Sequence, residues 1–302
     1  MPSFDLSESG GIGLVLSRGV TDAAVLMVFG TLIFRAVVAP AGFALLPLPE
    51  AAAFRRRLAR QGSVLAAIAL LAMALWLVLV ARSLADATGF GASIDAVWTV
   101  VHDTSFGHVL VAECGALVLV LVALMLPAPL DLLSLAPGAI MIVLHACHGH
   151  AFGMGLPVLR VSVTAHLLAA GAWLGSLPAL ALAVRRLPPS VSAALARRFS
   201  PVGLVCVSVL AVTAFYQGVI LISSWSFLAH SAYGWTALLK LLLFLLLLGV
   251  AAFNRVYATP RLASARGGPP TLLYAITLEI GLGFAVILAA GLLASLSPGM
   301  RM

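Results

Sequence analysis

The residues best suited to chemistry in this 302-residue chain are its seven histidines. Three of them form a compact group, His145-Ala-Cys147-His148-Gly149-His150. On a helix, His145 and His148 lie about 60° and one turn apart, so both imidazoles reach toward one point. Met141 continues that face four residues earlier. Gly149 can end the helix and swing His150 toward the pair. Imidazole suits copper, zinc and iron, and the sulfurs of Met and Cys add a preference for Cu(I). A helix end whose histidines only face water would carry the same letters, so placement has to decide.

Other groups extend the pattern. His166 stands inside an apolar stretch, on one face with Trp173 and the small Ala169 and Ala170. An ionisable side chain there is costly and faces the bundle interior with a partner. Glu113 also lies within an apolar run, able to pair with an imidazole or to hold a proton, and Glu279 can serve as a relay group. His108 opens the same run as Glu113, whereas His102 and His230 fall between runs. Cys114, Cys147 and Cys206 are far apart, with no disulfide framework and no CxxC knuckle. There is no GxxxxGK[ST], no CxxCH and no HExxH. Nucleotide-driven transport through a P-loop, covalent c-type haem and the commonest metalloprotease pattern are thereby set aside.

Composition says what kind of element must hold these groups. Of the residues 63% are hydrophobic and 9% charged, and the mean hydropathy is +1.16. A soluble domain is about a quarter charged, so this chain lacks the polar residues to cover an ordinary core. Soluble enzymes and nucleic-acid-binding domains are excluded, and the lipid bilayer is the first partner. Eight apolar stretches run about 20–45, 63–84, 108–126, 133–150, 160–184, 201–223, 236–255 and 272–296, against the ~20 residues that a span needs. Backbone amides cannot go unpaired in lipid, and period-two alternation is absent, so the stretches are helices and not barrel strands. The expected fold is all-α: a polytopic membrane protein, with residues 1–302 forming a single eight-helix transmembrane bundle. A short interfacial helix is expected in Ala92–Val101, and the Gly171-x-x-x-Gly175 pair marks a close helix approach.

Orientation follows from arginine. Loops after the first, fifth and seventh spans carry Arg55, Arg56, Arg57, Arg60, Arg185, Arg186, Arg197, Arg198, Arg255, Arg261 and Arg266, eleven in all. The opposite side carries four, Arg18, Arg82, Arg160 and Arg301, while Arg35 and Lys240 lie inside spans near their ends, placed to snorkel. The positive net charge of +7 is thus a topology signal and not a nucleic-acid groove. The richer side is cytoplasmic, which puts both termini outside. The first nineteen residues lack a basic region ahead of an apolar core, so no cleavable signal peptide is expected. All seven histidines then fall on the outer side, with Asp5, Glu8, Asp22, Asp86, Asp95, Asp103 and Glu113 on or near the same face. Imidazoles and carboxylates gathered at one surface suit a cation site.

The run from His166 through Trp173 and Gly175 to Leu180 resembles the signature helix of the copper resistance protein D (CopD) family. Arg198-Phe199-Ser200, Tyr233-Gly234 with Lys240, and Asn254-Arg255 followed by Pro260 are similar to the same family. So are Gly149-His150-Ala151 and Thr104-Ser105-Phe106-Gly107-His108. The resemblance covers most of residues 100–262. It implies an eight-helix protein of the bacterial inner membrane, multi-pass, acting in copper homeostasis and moving copper from the periplasm toward the cytoplasm. It also implies a small periplasmic copper-binding partner of the CopC type. Glu113 departs from the arginine expected in that span, and His145 and His148 are additional imidazoles. Two readings stay open. In one, His108, His145, His148, His150 and His166 form a metal site that receives copper. In the other, two of these histidines ligate a b-type haem in a membrane cytochrome, acting in electron transfer or periplasmic copper reduction.

Overall fold

Because every backbone amide in lipid must be paired within its own segment, the apolar stretches fold as helices. The computed structural model describes residues 11–86, 89–127, 130–262 and 269–299. Asp5, Glu8, Arg266 and Arg301 lie outside the described residues, as does the side chain of His150. The helices are α1 (Ile12–Phe43), α2 (Leu48–Ala85), α3 (Phe90–Asp103), α4 (Ser105–Met125) and α5 (Leu135–Ala146). After a single turn at His150–Gly153 come α6 (Pro157–Arg186), α7 (Pro189–Leu221), α8 (Trp225–His230), α9 (Ala232–Arg261) and α10 (Pro269–Ser295). Among the described residues there is no strand, only an isolated bridge between Ile222 and Gly299.

Seven of these helices are long and apolar enough to cross a membrane. The eighth expected span, the fourth in order, is the exception. Its helix α5 has 12 residues, or ~18 Å at 1.5 Å per residue, against a hydrocarbon core of ~30 Å. Turns at 131–134 and 147–149 flank it. The stretch expected to form a short interfacial helix is helical, as α3.

The bundle is built on α1 and α6, whose apolar windows are the most buried of the spans. Where they cross, Gly30 and Gly175 meet backbone to backbone. A Cβ on Gly175 would stand 2.0 Å from the Leu26 carbonyl oxygen, and one on Gly30 would stand 1.9 Å from the Gly175 carbonyl carbon. A short 3-10 turn, Leu174–Ser176, interrupts α6 at this point, and Ser176 donates to the Gly30 carbonyl at 2.8 Å. The Gly171/Gly175 spacing is therefore the surface on which α1 lies. Gly19 on α1 packs against Leu288 and Gly291 on α10, so the two helices are antiparallel. The start of α1 and the end of α10 share one end of the bundle.

Thr104–Gly107 and Ser231–Gly234 build two corners of one design. Thr104 accepts from the Gly107 amide, and a Cβ on Gly107 would stand 2.1 Å from the Val100 carbonyl oxygen. Ser231 accepts from the Gly234 amide, and a Cβ on Gly234 would stand 2.1 Å from the Leu228 carbonyl oxygen. In each, a hydroxyl caps the incoming helix while glycine lets a short helix fold tightly onto a long one.

The opposite end holds a buried ion cluster. Arg35 does not snorkel: it is 1% exposed, the largest fully buried side chain, and donates to Asp131 at 3.0 Å and to the Leu124 carbonyl at 2.8 Å. Arg55 donates to both oxygens of the same carboxylate. Arg35 opens onto this cluster from a π-helical turn, Phe34–Val38, whose extra residue rotates a side chain away from the ordinary helical face. Arg198 at the adjoining part of α7 donates to the Val37 carbonyl of that turn.

Candidate functional site

At the end of the bundle where α1 starts and α10 ends, α1, α4, α5 and the turn after α5 bring four ionisable side chains together. Glu113, on α4, is fully buried. It accepts from His145 Nδ1 at 2.8 Å and from His148 Nε2 at 2.9 Å. His145 Nε2 in turn faces Asp22 Oδ1 of α1 at 2.9 Å. A neutral imidazole has one N–H, so a His145 that serves two carboxylates carries the proton of an imidazolium. α5 packs against both α4 and α1, and this packing sets its histidine end beside Glu113 and Asp22.

His148 differs from His145. Its Nε2 donates to Glu113, and its Nδ1 is buried with no hydrogen-bond partner. The ring lies edge-on to Trp76 and Phe106, both with centroids at 5.1 Å. Arg18 lies over Trp76 at 5.5 Å and donates to the His148 carbonyl at 3.5 Å. An imidazole with one nitrogen on a carboxylate and the other bearing a free lone pair is the form that ligates a metal ion. Close by in sequence, Cys114 Sγ lies 3.9 Å from Met73 Sδ, a soft pair joining α4 to α2. Cys147 instead bonds the Val143 carbonyl of its own helix.

His166 belongs to a neighbouring polar group. Its Nδ1 is 2.8 Å from Thr213 Oγ1, which itself donates to the Val209 carbonyl. Ser162 and Gln217 continue this group. His108 is exposed, with Nε2 on the His102 carbonyl at 2.8 Å. His145 and His148 are thus brought together, at 6.0 Å between ring centroids, while His166 and His108 have partners of their own. Among the described residues no three His, Cys, Asp or Glu side chains form a ready-made metal cage.

A family model described as Copper resistance protein D-like, N-terminal domain, matches residues 6–156, and one described as Copper resistance protein D matches residues 193–293. The chain belongs to the copper resistance protein D family. No curated protein matches it, and no solved structure does. This CopD protein is therefore a multi-span membrane protein of copper resistance. The matched family models name copper resistance and give no support to a b-type haem.

The sequence put Asp22 on the histidine face without pairing it to a histidine, and gave no sign of Trp76. The signal for Asp22 was present, an acid inside the first apolar stretch, but its partner His145 is 123 residues away. Trp76 carried no such signal, since an aromatic residue in an apolar run looks like any other packing residue.

Proposed function

We propose that this CopD-family protein receives copper at the outer face of a bacterial inner membrane and mediates its uptake. The observation that carries this reading is the buried, unpartnered Nδ1 of His148 beside the Glu113 carboxylate. The carboxylate fixes the tautomer and orients the ring, as second-shell carboxylates do for metal-bound histidines. Glu113 and Asp22 supply negative charge to an arriving cation, and the Cys114–Met73 pair offers soft atoms further along α4. A few ligands in place of a closed cage suit a cargo that must also leave. His145, and His150 on the turn that follows, complete the outer-face set. His166 lines the next polar group toward α7, and His108 stands at the rim. Both termini face the periplasm in this reading, and a CopC-like protein docking on that side would deliver the ion.

Copper titration of the purified protein tests the reading. His148→Ala should weaken copper binding by roughly 10–100-fold, applying to a ligand the range found for its supporting groups. His108→Ala should leave binding unchanged. Equal effects of the two substitutions would overturn the assignment of His148, and stoichiometric iron with a Soret band would replace copper with haem.

A further inference from the structure

The end of the bundle that holds Arg35 and Arg55 contains a second buried carboxyl that the copper reading leaves unused. Glu279 of α10 is 3% exposed. Its partner is Asn254 of α9, whose Nδ2 donates to Glu279 Oε1 at 2.5 Å. Among the described residues Glu279 makes no ion pair. Asn254 is 7% exposed, and its own carbonyl oxygen is buried without a partner. It sits at the start of a π-helical turn, Asn254–Ala258, the feature that also redirects Arg35, and such turns are frequent at functional sites.

Both side chains line a cavity of about 260 Å³ between α6, α7, α9 and α10. The wall is mostly apolar, with Trp173 and Leu180 from α6. Ser200 enters from α7 and Thr259 from the end of α9. Arg255, which is exposed, is the other charged residue on the wall.

We propose that Glu279 and Asn254 form a proton-loading site at this end of the bundle, separate from the histidine cluster. An ionised carboxylate here would stand unpaired in an apolar wall, which is costly. It would also leave the buried Asn254 Oδ1 without a donor. A proton on the other carboxyl oxygen, Oε2, removes both faults. Glu279 then donates to Asn254 Oδ1 while Asn254 donates to Glu279 Oε1, a two-bond ring of acid and amide. When water fills the cavity, the O–H bond breaks, the proton leaves to that water and the carboxylate keeps the electron pair. Reloading is the reverse.

Infrared difference spectroscopy of the full-length protein in nanodiscs, without copper or sodium, tests the site. At neutral pH a carboxylic-acid C=O stretch should be present, shift in D₂O, and vanish in Glu279→Gln. Asn254→Ala should move the band to higher frequency. Glu279→Gln retains a donor for Asn254 and mimics the loaded state, so its thermal unfolding should match the wild type. A Glu279→Gln protein that fails to fold would overturn the proposal, because the loaded state would then not be the stable one. Absence of any band removed by Glu279→Gln would leave Glu279 ionised and overturn it as well. Loss of the band on adding sodium would assign the site to a metal cation in place of a proton. Neither readout involves copper, so failure here and failure of the copper reading are separate results.

Discussion

Glu113→Gln is the sharpest perturbation of the outer site, because glutamine keeps the shape of the side chain and removes its charge. Glu113 accepts from two imidazoles, at 2.8 Å and 2.9 Å, from a fully buried position. The amide retains one acceptor oxygen, but its NH₂ must face the N–H of the other imidazole. One charge-assisted hydrogen bond is lost, about 1.5–3 kcal/mol. Removing one member of a buried charged pair costs about 3–5 kcal/mol in general. Asp22 still serves His145 Nε2 at 2.9 Å, which places the expected loss near the lower end, ~3 kcal/mol. Equilibrium unfolding in detergent measures it, and a cycle with His148→Gln isolates the pair. A coupling of about 1.5–3 kcal/mol is expected, with none between Glu113→Gln and His108→Gln. A Glu113→Gln protein within about 0.5 kcal/mol of the wild type, the range of a neutral surface change, would refute the clustered arrangement.

Asp131→Ala should destabilise the protein by about 3–5 kcal/mol, since it leaves Arg35, 1% exposed, without its carboxylate; wild-type stability by the same unfolding assay would show that Arg35 finds another partner. A periplasmic reporter such as alkaline phosphatase, fused to the C-terminus, should be active and a cytoplasmic one inactive. The reverse pattern would invert the membrane orientation and move the histidine cluster to the cytoplasm.

Much of this protein could be read from one-dimensional information. Membrane residence, helical spans and the arginine asymmetry depend on local composition, because each span satisfies its own backbone and meets lipid directly. The short sequence separation of His145 and His148 is likewise local, and it predicted their meeting, although His148 lies on the turn just past the end of α5. What composition could not settle is which distant group each buried charge finds. Arg35 looked free to snorkel, yet a π-helical turn directs it to Asp131, 96 residues on. The fourth stretch looked like a full span, but its helix has 12 residues, and its packing on α1 and α4 sets the histidines beside Glu113 and Asp22. His166 shared their expected depth but takes Thr213 instead, and Glu279 takes Asn254. The physical reason is common to all four. A span's hydropathy depends on how many apolar residues it has, whereas a buried polar group needs one partner at hydrogen-bond distance, and only the packing of helices far apart in sequence decides which partner that is.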